Sequence, residues 1–384
     1  MITTINNKNK KPNVPNLRFP EFEGEWEEYR IEDITENISS GRCKSHSSSG
    51  KYNLYGSTGI IGKTNEACYE GNLVLVARVG ANAGSLQILN EPCGITDNTL
   101  IIKPKEVDVQ YIYYFLQHFN LNRLIFGSGQ PLITGGMLKK VKVSLGTIQE
   151  QNKITRLLSI LDERIATQNK IIDKLQSLIK GLNDFLYTQY GGEVLTSFAE
   201  LSTSYSGLSG KSAQDFGSGK PFITYLNVYS NNVIKENDFQ YVAIKDDEKQ
   251  NVVKYGDVLF TLSSETPEEV GVGSVYLGKE KVYLNSFCFG IHITNTEVAF
   301  PPYLSYYVSL TAFRKFIYPY AQGSTRFNLC KADFEKASIK LPTLADQKRI
   351  YSILSHIDNK IITERQMLDL YNSQKQYLLR QMFI

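Results

Sequence analysis

The chain has 384 residues, 42% hydrophobic and 21% charged, with a net charge of +3. This describes a globular polypeptide with room for two or three domains and excludes disordered, collagenous and fibrous classes. Five cysteines (Cys43, Cys68, Cys93, Cys288, Cys330) are odd in number and far apart, which argues against a disulfide framework or a paired-thiolate zinc site.

From the N-terminus, residues 1–14 read as a flexible tail, and MITTINNKNKK lacks the apolar core of a signal peptide. With no apolar run near the roughly 18 residues of a membrane span, a cytoplasmic protein without a membrane partner is expected. Trp26, the single tryptophan, reads as a core residue. The stretch GSTGIIGKT, Gly56 to Thr64, imitates a phosphate-binding loop. However, its first Gly stands one residue too far from Gly-Lys-Thr for backbone N–H groups to curl around a phosphate, so a glycine-rich turn is expected. Short apolar runs between turn residues follow, among them LVLVARVG, SLQIL, TLIIK, KVYL and GIHIT, and mark strand-dominated mixed regions.

From Ser144, SLGTIQEQNKITRLLSILDERIATQNKIIDKLQSLIKGLNDFL aligns without a gap to KLPTLADQKRIYSILSHIDNKIITERQMLDLYNSQKQYLLRQM from Lys340, an offset of 196 residues. The chain is therefore a duplication. Apolar residues recur in steps of four and three at Ile154, Leu158, Leu161, Ile165, Gln168, Ile172 and Leu175, and again at Ile350, Leu354, Ile357, Ile361, Glu364 and Leu368. This is the seam of a coiled coil, with Glu364 at the position equivalent to the polar Gln168. Each segment would be a helix of roughly 60 Å at 1.5 Å per residue. If the seams pair, the helices run antiparallel in a pseudo-twofold arrangement. The globules repeat more loosely: Gly127-Ser128-Gly129-Gln130 matches Gly323-Ser324-Thr325-Arg326, Gly71-Asn72-Leu73 matches Gly256-Asp257-Val258, and Ser49-Gly50-Lys51 matches Ser218-Gly219-Lys220. A strand-like FITYLNVYSNN stands where NLYGSTGIIGK stood.

The fold class expected is α+β: two strand-rich mixed domains separated by two long helices that form an antiparallel coiled coil. The boundaries are a tail at 1–14, domains at 15–145 and 191–341, and helices at 146–190 and 342–384. The entry NLRFPEFEGEWEEYRIEDI, the turns GSGQ and GSTR, and the helix starts LGTIQEQNKI and LPTLADQKRI resemble the specificity subunit of a type I restriction-modification system over nearly the whole chain. Gly146 departs from that pattern, since the second copy has Pro342 and the family usually has proline. The resemblance implies two target recognition domains, each reading half of a split double-stranded DNA sequence. It also implies two methyltransferase (M) subunits bound to the helices, with restriction endonuclease (R) subunits as further partners. S-adenosylmethionine, ATP and Mg would then belong to the partner subunits, with no cofactor and no catalysis in this chain.

The residues agree with that implication. His46, His118, His292 and His356 lack metal-ligand spacing. The glycine stretches at Phe126 and Phe216 carry no base-binding motif, and Asp247-Glu248-Lys249 reads as a solvated charge run. Candidates for reading base edges are Arg78, Asn82, Ser85 and Gln130 in the first half and Ser263, Ser264, Arg326 and Asn328 in the second. Lys51, Lys63, Arg123 and Lys220 are candidates for phosphate contacts. Two other classes remain open at this point: a coiled-coil adaptor without DNA, separable by salt-dependent duplex binding, and a single-chain DNA-modifying enzyme with a cryptic site.

Overall fold

The computed structural model describes residues 13–43, 49–125, 130–234 and 236–384. Nearly all of the tail expected at 1–14, His46, and Gly127-Ser128-Gly129 of the first glycine turn lie outside the described residues. The chain divides into two compact units, Met1–Asn169 with Gln366–Ile384, and Lys170–Arg365. No helix among the described residues is long and apolar enough to cross a membrane.

The first unit contains a four-stranded sheet in the order Thr35–Ser40, Thr99–Pro104, Leu73–Ala77, Leu86–Leu89. Beside it is a three-stranded sheet in which Tyr52–Gly56 pairs antiparallel with Gly59–Thr64 and parallel with Cys93–Ile95. Strand Glu27–Arg30 pairs with Lys142–Leu145. The second unit repeats this plan. Its larger sheet runs Ser202–Ser206, Cys288–Ile293, Val258–Thr261, Gly273–Tyr276, Val233–Ile234. Strand Phe216–Ile223 pairs antiparallel with Gln240–Val242 and parallel with Tyr283–Leu284, and Val194–Ser197 pairs with Ser338–Leu341. Apart from the added strand Val233–Ile234, matching strand orders and senses carry the duplication from the helices into the globules.

GSTGIIGKT is thus a β-hairpin, with strands meeting at Gly56 and Gly59 and no helix following. Its counterpart departs from the strand-like expectation for FITYLNVYSNN. The strand ends at Ile223, and Tyr225–Ser230 is helical because Thr224 and Asn227 form a reciprocal capping box. The capping residues outweigh the β-branched and aromatic content.

The two long helices span Ile148–Tyr190 and Leu344–Met382. Both begin in the same way. Thr147 Oγ1 accepts from Glu150 N–H at 3.3 Å and Gln151 Nε2 donates to Gly146 C=O at 2.9 Å. In the other copy Thr343 Oγ1 accepts from Asp346 N–H at 3.2 Å and Gln347 Nε2 donates to Pro342 C=O at 2.9 Å. The threonine hydroxyls satisfy N–H groups that a helix start leaves open, and the glutamine amides tie the first turn to the residue before the cap. Gly146 differs from proline for a steric reason: a Cβ there would lie 2.4 Å from Glu150 Oε2 and 2.6 Å from Trp26 Nε1. Trp26 is buried, as expected, and its indole N–H donates to Glu150 at 3.1 Å.

Within the first unit, Ile154, Leu158 and Leu161 share a core with Leu378, Leu379, Met382 and Phe383, so the two helices run antiparallel. Within the second unit, Ile179, Leu182 and Leu186 share a core with Ile350 and Leu354. Along the seam, Gln168, Ile172 and Ile361 are buried, while Ile165, Leu175, Ile357, Glu364 and Leu368 are half-buried. Glu364 is ion-paired with Lys360 one turn earlier.

Each globule is pinned to a seam by a tyrosine. Tyr114 donates to Asp162 at 2.8 Å, and Asp162 also takes Lys375 at 2.6 Å. In the second unit Tyr306 donates to Asp358. Burial raises the Asp358 carboxyl above its usual range, against the opposing effects of Tyr306 and Arg365. The folded state therefore holds this proton more tightly than the unfolded chain. Its stabilising contribution is full below the ordinary carboxylate range and is lost as pH rises through the raised value. Asp358→Asn should flatten that part of the pH dependence of thermal stability while leaving the fold intact. An unchanged pH profile in the variant would rule this out.

Candidate nucleic-acid interface

In the first unit, strand Leu73–Ala77 is wholly buried, and the chain leaves the sheet at Arg78. There three distant segments are tied by backbone bonds. Arg78 N–H donates to Asn98 C=O at 2.9 Å, and Arg78 C=O accepts from Ile133 N–H at 2.8 Å. Val79 bridges to Leu132, and Gly80 N–H donates to Pro131 C=O at 3.1 Å. The turn closes through Gly84 N–H to Ala77 C=O and Ala77 N–H to Ser85 C=O, both at 2.8 Å. Gly84 has φ +89°, and a Cβ on it would meet Asn122 Oδ1 at 3.2 Å and Leu121 at 3.3 Å. Glycine is required there by both conformation and close approach. The turn consequently lies against the short helix that carries Arg123.

The structure thus brings Arg78, Asn82, Ser85, Arg123 and Gln130 into one platform, all exposed except the half-buried Arg78. The Arg78 Nε is buried without a hydrogen-bond partner among the described residues. The hairpin tip joins this platform, since Ser57 Oγ donates to Asn98 C=O at 3.1 Å and Gln87 Nε2 donates to Gly56 C=O at 2.9 Å. Lys51 and Lys63 lie at the far end of that hairpin. Lys51 is exposed, with its ammonium 5.2 Å from the Tyr52 ring centroid. Lys63 donates to Asn53 Oδ1 at 2.7 Å, within a network where Asn53 and Tyr55 both donate to Glu91. Those bonds hold Glu91 below its usual range, while burial and the same contact push Tyr55 up to about 12.

The second unit builds the same platform from the same bonds. Leu262 N–H donates to Phe287 C=O at 2.9 Å, and Leu262 C=O accepts from Leu329 N–H at 2.8 Å. Ser263 pairs with Asn328 and Ser264 with Phe327. Gly271 N–H to Thr261 C=O and Thr261 N–H to Val272 C=O repeat the turn closure. By this pairing Leu262 stands for Arg78, Ser263 for Val79, Phe287 for Asn98, Arg326 for Gln130 and Asn328 for Leu132.

Arg326 and Asn328 are exposed, whereas Ser263 and Ser264 are buried. Tyr225 OH donates to the Ser263 carbonyl at 2.8 Å, and Ser264 Oγ donates to Glu269 at 2.9 Å. Lys220 is exposed on strand Phe216–Ile223, outside the three segments. Sequence reasoning missed Leu132, along with Asn98 and Phe287, the last two having only the weak signal of a turn before a strand in TDN and NSF. It also missed Arg314, which donates to the carbonyls of Gly271, Glu268 and Val270 at 2.6–2.7 Å and fixes the turn. Burial lowers its pKa, and a guanidinium stays charged regardless.

Asp247 and Lys249 of the presumed charge run are exposed, but Glu248 is half-buried and accepts from Lys211 at 2.5 Å. No group of three His, Cys, Asp or Glu placed to hold a metal ion occurs among the described residues. A cleft of about 450 Å³ beside Trp26 is lined by Glu23, Glu25, Glu27, Asp33 and Glu106 against Arg18 and Lys105, so its lining is acidic on balance. That sign of charge repels a phosphate backbone, so the platforms, not this cleft, are the candidate interface.

The sequence profile of the type I restriction modification DNA specificity domain matches residues 23–177 and 207–370. The chain belongs to the type I restriction-modification specificity-subunit family. The type I restriction enzyme MjaVIII specificity subunit of Methanocaldococcus jannaschii is 25% identical over 385 residues, covering 91% of this chain and 89% of that relative. Its MjaX counterpart from the same organism is 27% identical over 303 residues, covering 70% of this chain and 66% of the relative. Among solved structures, the type I restriction-modification system S subunit from M. genitalium superposes with a TM-score of 0.59 at 16% identity, covering 97% of this chain and 99% of that one. This is likeness of fold.

Proposed function

We propose that this chain, non-catalytic by itself, reads a bipartite, non-palindromic double-stranded DNA target for a type I restriction-modification complex. Residues 15–145 and 191–341 act as the target recognition domains, and two methyltransferase subunits dock on the long helices. Restriction subunits join through that assembly, and S-adenosylmethionine, ATP and Mg act on the partners. The observation that carries the reading is the doubled platform. One backbone plan is built twice from matching hydrogen bonds, yet it presents Arg78, Asn98, Gln130 and Leu132 in one unit and Leu262, Phe287, Arg326 and Asn328 in the other. Different side chains on one scaffold suit two different half-sites, because base edges are read by side chains while backbone contacts position.

Apolar side chains that such docking would cover lie exposed on the helices away from the seam: Ile160, Leu370 and Tyr377 in the first unit, and Leu178, Phe185 and Ile362 in the second. Methylome sequencing of host cells with and without the chain tests the reading. A split motif with two unlike halves should appear only when the chain is present. A continuous or palindromic motif dependent on the chain would refute it.

A further inference from the structure

The two platforms share backbone pairing but place their apolar residue differently. Leu132 is 41% exposed in the first unit, where the second has Asn328, and Phe287 is 56% exposed in the second, where the first has Asn98. Since a polar residue fills each position in the other copy, the backbone requires neither side chain to be apolar. Phe287 is also held firmly. Its N–H donates to Asn285 Oδ1 at 2.9 Å, its C=O accepts from Leu262, and the Arg326 guanidinium stands 6.0 Å from its ring centroid. An apolar side chain on a fixed backbone among hydrogen-bonding neighbours complements the one apolar feature of a base pair in the major groove, the 5-methyl group of thymine.

We propose that Phe287 in the second unit and Leu132 in the first each read a thymine methyl, at different positions of their half-sites. The inference rests on the DNA-reading function proposed above and deepens it: the platform segment that carries the apolar residue sets which base pair is read through its methyl group.

The test uses the full chain assembled with its methyltransferase subunits and a duplex bearing the target found by methylome sequencing. Each thymine is replaced in turn by deoxyuridine, which pairs alike but lacks the methyl. Wild type should bind about fourfold more weakly at one substituted position in each half-site, corresponding to the ~0.8 kcal/mol of one buried carbon. Phe287→Ala should erase that difference in one half only and Leu132→Ala in the other, while Phe287→Leu retains part of it. Equal weakening of thymine and uridine duplexes by Phe287→Ala would overturn the inference. So would salt-dependent binding with full tolerance of uridine, which leaves the DNA-reading function standing. Absence of salt-dependent binding to the thymine duplex would overturn that function and this inference together.

Discussion

Arg326→Ala is expected to weaken binding of the assembled complex to its target duplex by about 1–3 kcal/mol, roughly ten- to a hundredfold, and to relax selectivity in one half-site only. Arg326 follows the turn at Gly323, whose φ of +142° and close approach to the Arg326 carbonyl suit only glycine. The guanidinium is exposed, makes no ion pair among the described residues, and stands 6.0 Å from the Phe287 ring centroid. A charged fork held on a short turn is suited to two parallel bonds to a guanine edge. Lys220→Ala provides the contrast. That exposed lysine lies outside the platform, so its loss should weaken binding uniformly across sequences and lower the salt slope by about one. The measurement is competition binding against a panel of single-base variants at several salt concentrations. Uniform weakening by Arg326→Ala, with the ranking of variants unchanged, would reduce Arg326 to a phosphate contact.

Glu150→Ala is expected to destabilise the first unit by about 2–4 kcal/mol, enough to lower its melting temperature by several degrees. Glu150 is fully buried; it receives Arg18 Nε at 2.8 Å and a second Arg18 nitrogen at 2.9 Å, along with the Trp26 indole N–H at 3.1 Å. Removing the carboxylate leaves the buried indole donor unsatisfied and the guanidinium with only the carbonyls of Gly24 and Glu23. Asp346, the matching residue of the second copy, is half-buried and serves the helix start alone through Thr343. Asp346→Ala should therefore cost only about 1 kcal/mol, as a lost cap does. Hydrogen exchange read separately over the two units distinguishes the cases, and equal effects of the two substitutions would refute the account. Gly146→Pro should mimic the loss of Glu150, because the added ring enters the space of Glu150 and Trp26.

Much of the architecture was legible because it is local or repeated. A seam such as Ile154, Leu158, Leu161 is a periodicity within one helix, and the offset of 196 residues is a property of the string itself. The helix starts are likewise short-range, since Thr147 and Thr343 cap residues only three positions on. Even the false phosphate loop could be rejected by counting residues. The platforms were legible only in part. Arg78, Asn82, Ser85 and Gln130 stood out as polar residues near turns, and the fold gathers them. Nothing in the string, however, reveals that Asn98 meets Arg78, or that Phe287 meets Leu262 and stands beside Arg326, because those neighbours come from strands paired across distant segments. For the same reason Ser263 and Ser264, polar and turn-adjacent in sequence, are buried by a strand drawn from residues 327–329.

The sequence by itself determined the duplication, the two long helices with their seams, the mixed character of the globules and the family. It did so because periodicity, capping and self-similarity are written within short windows of the chain. Only the tertiary structure decided which side chains share a surface, which serines are enclosed, and that Arg314 fixes a turn more than forty residues before it. Those outcomes depend on sheet pairing between remote segments, whose register is set by burial of whole faces and not by the residues at the loops themselves.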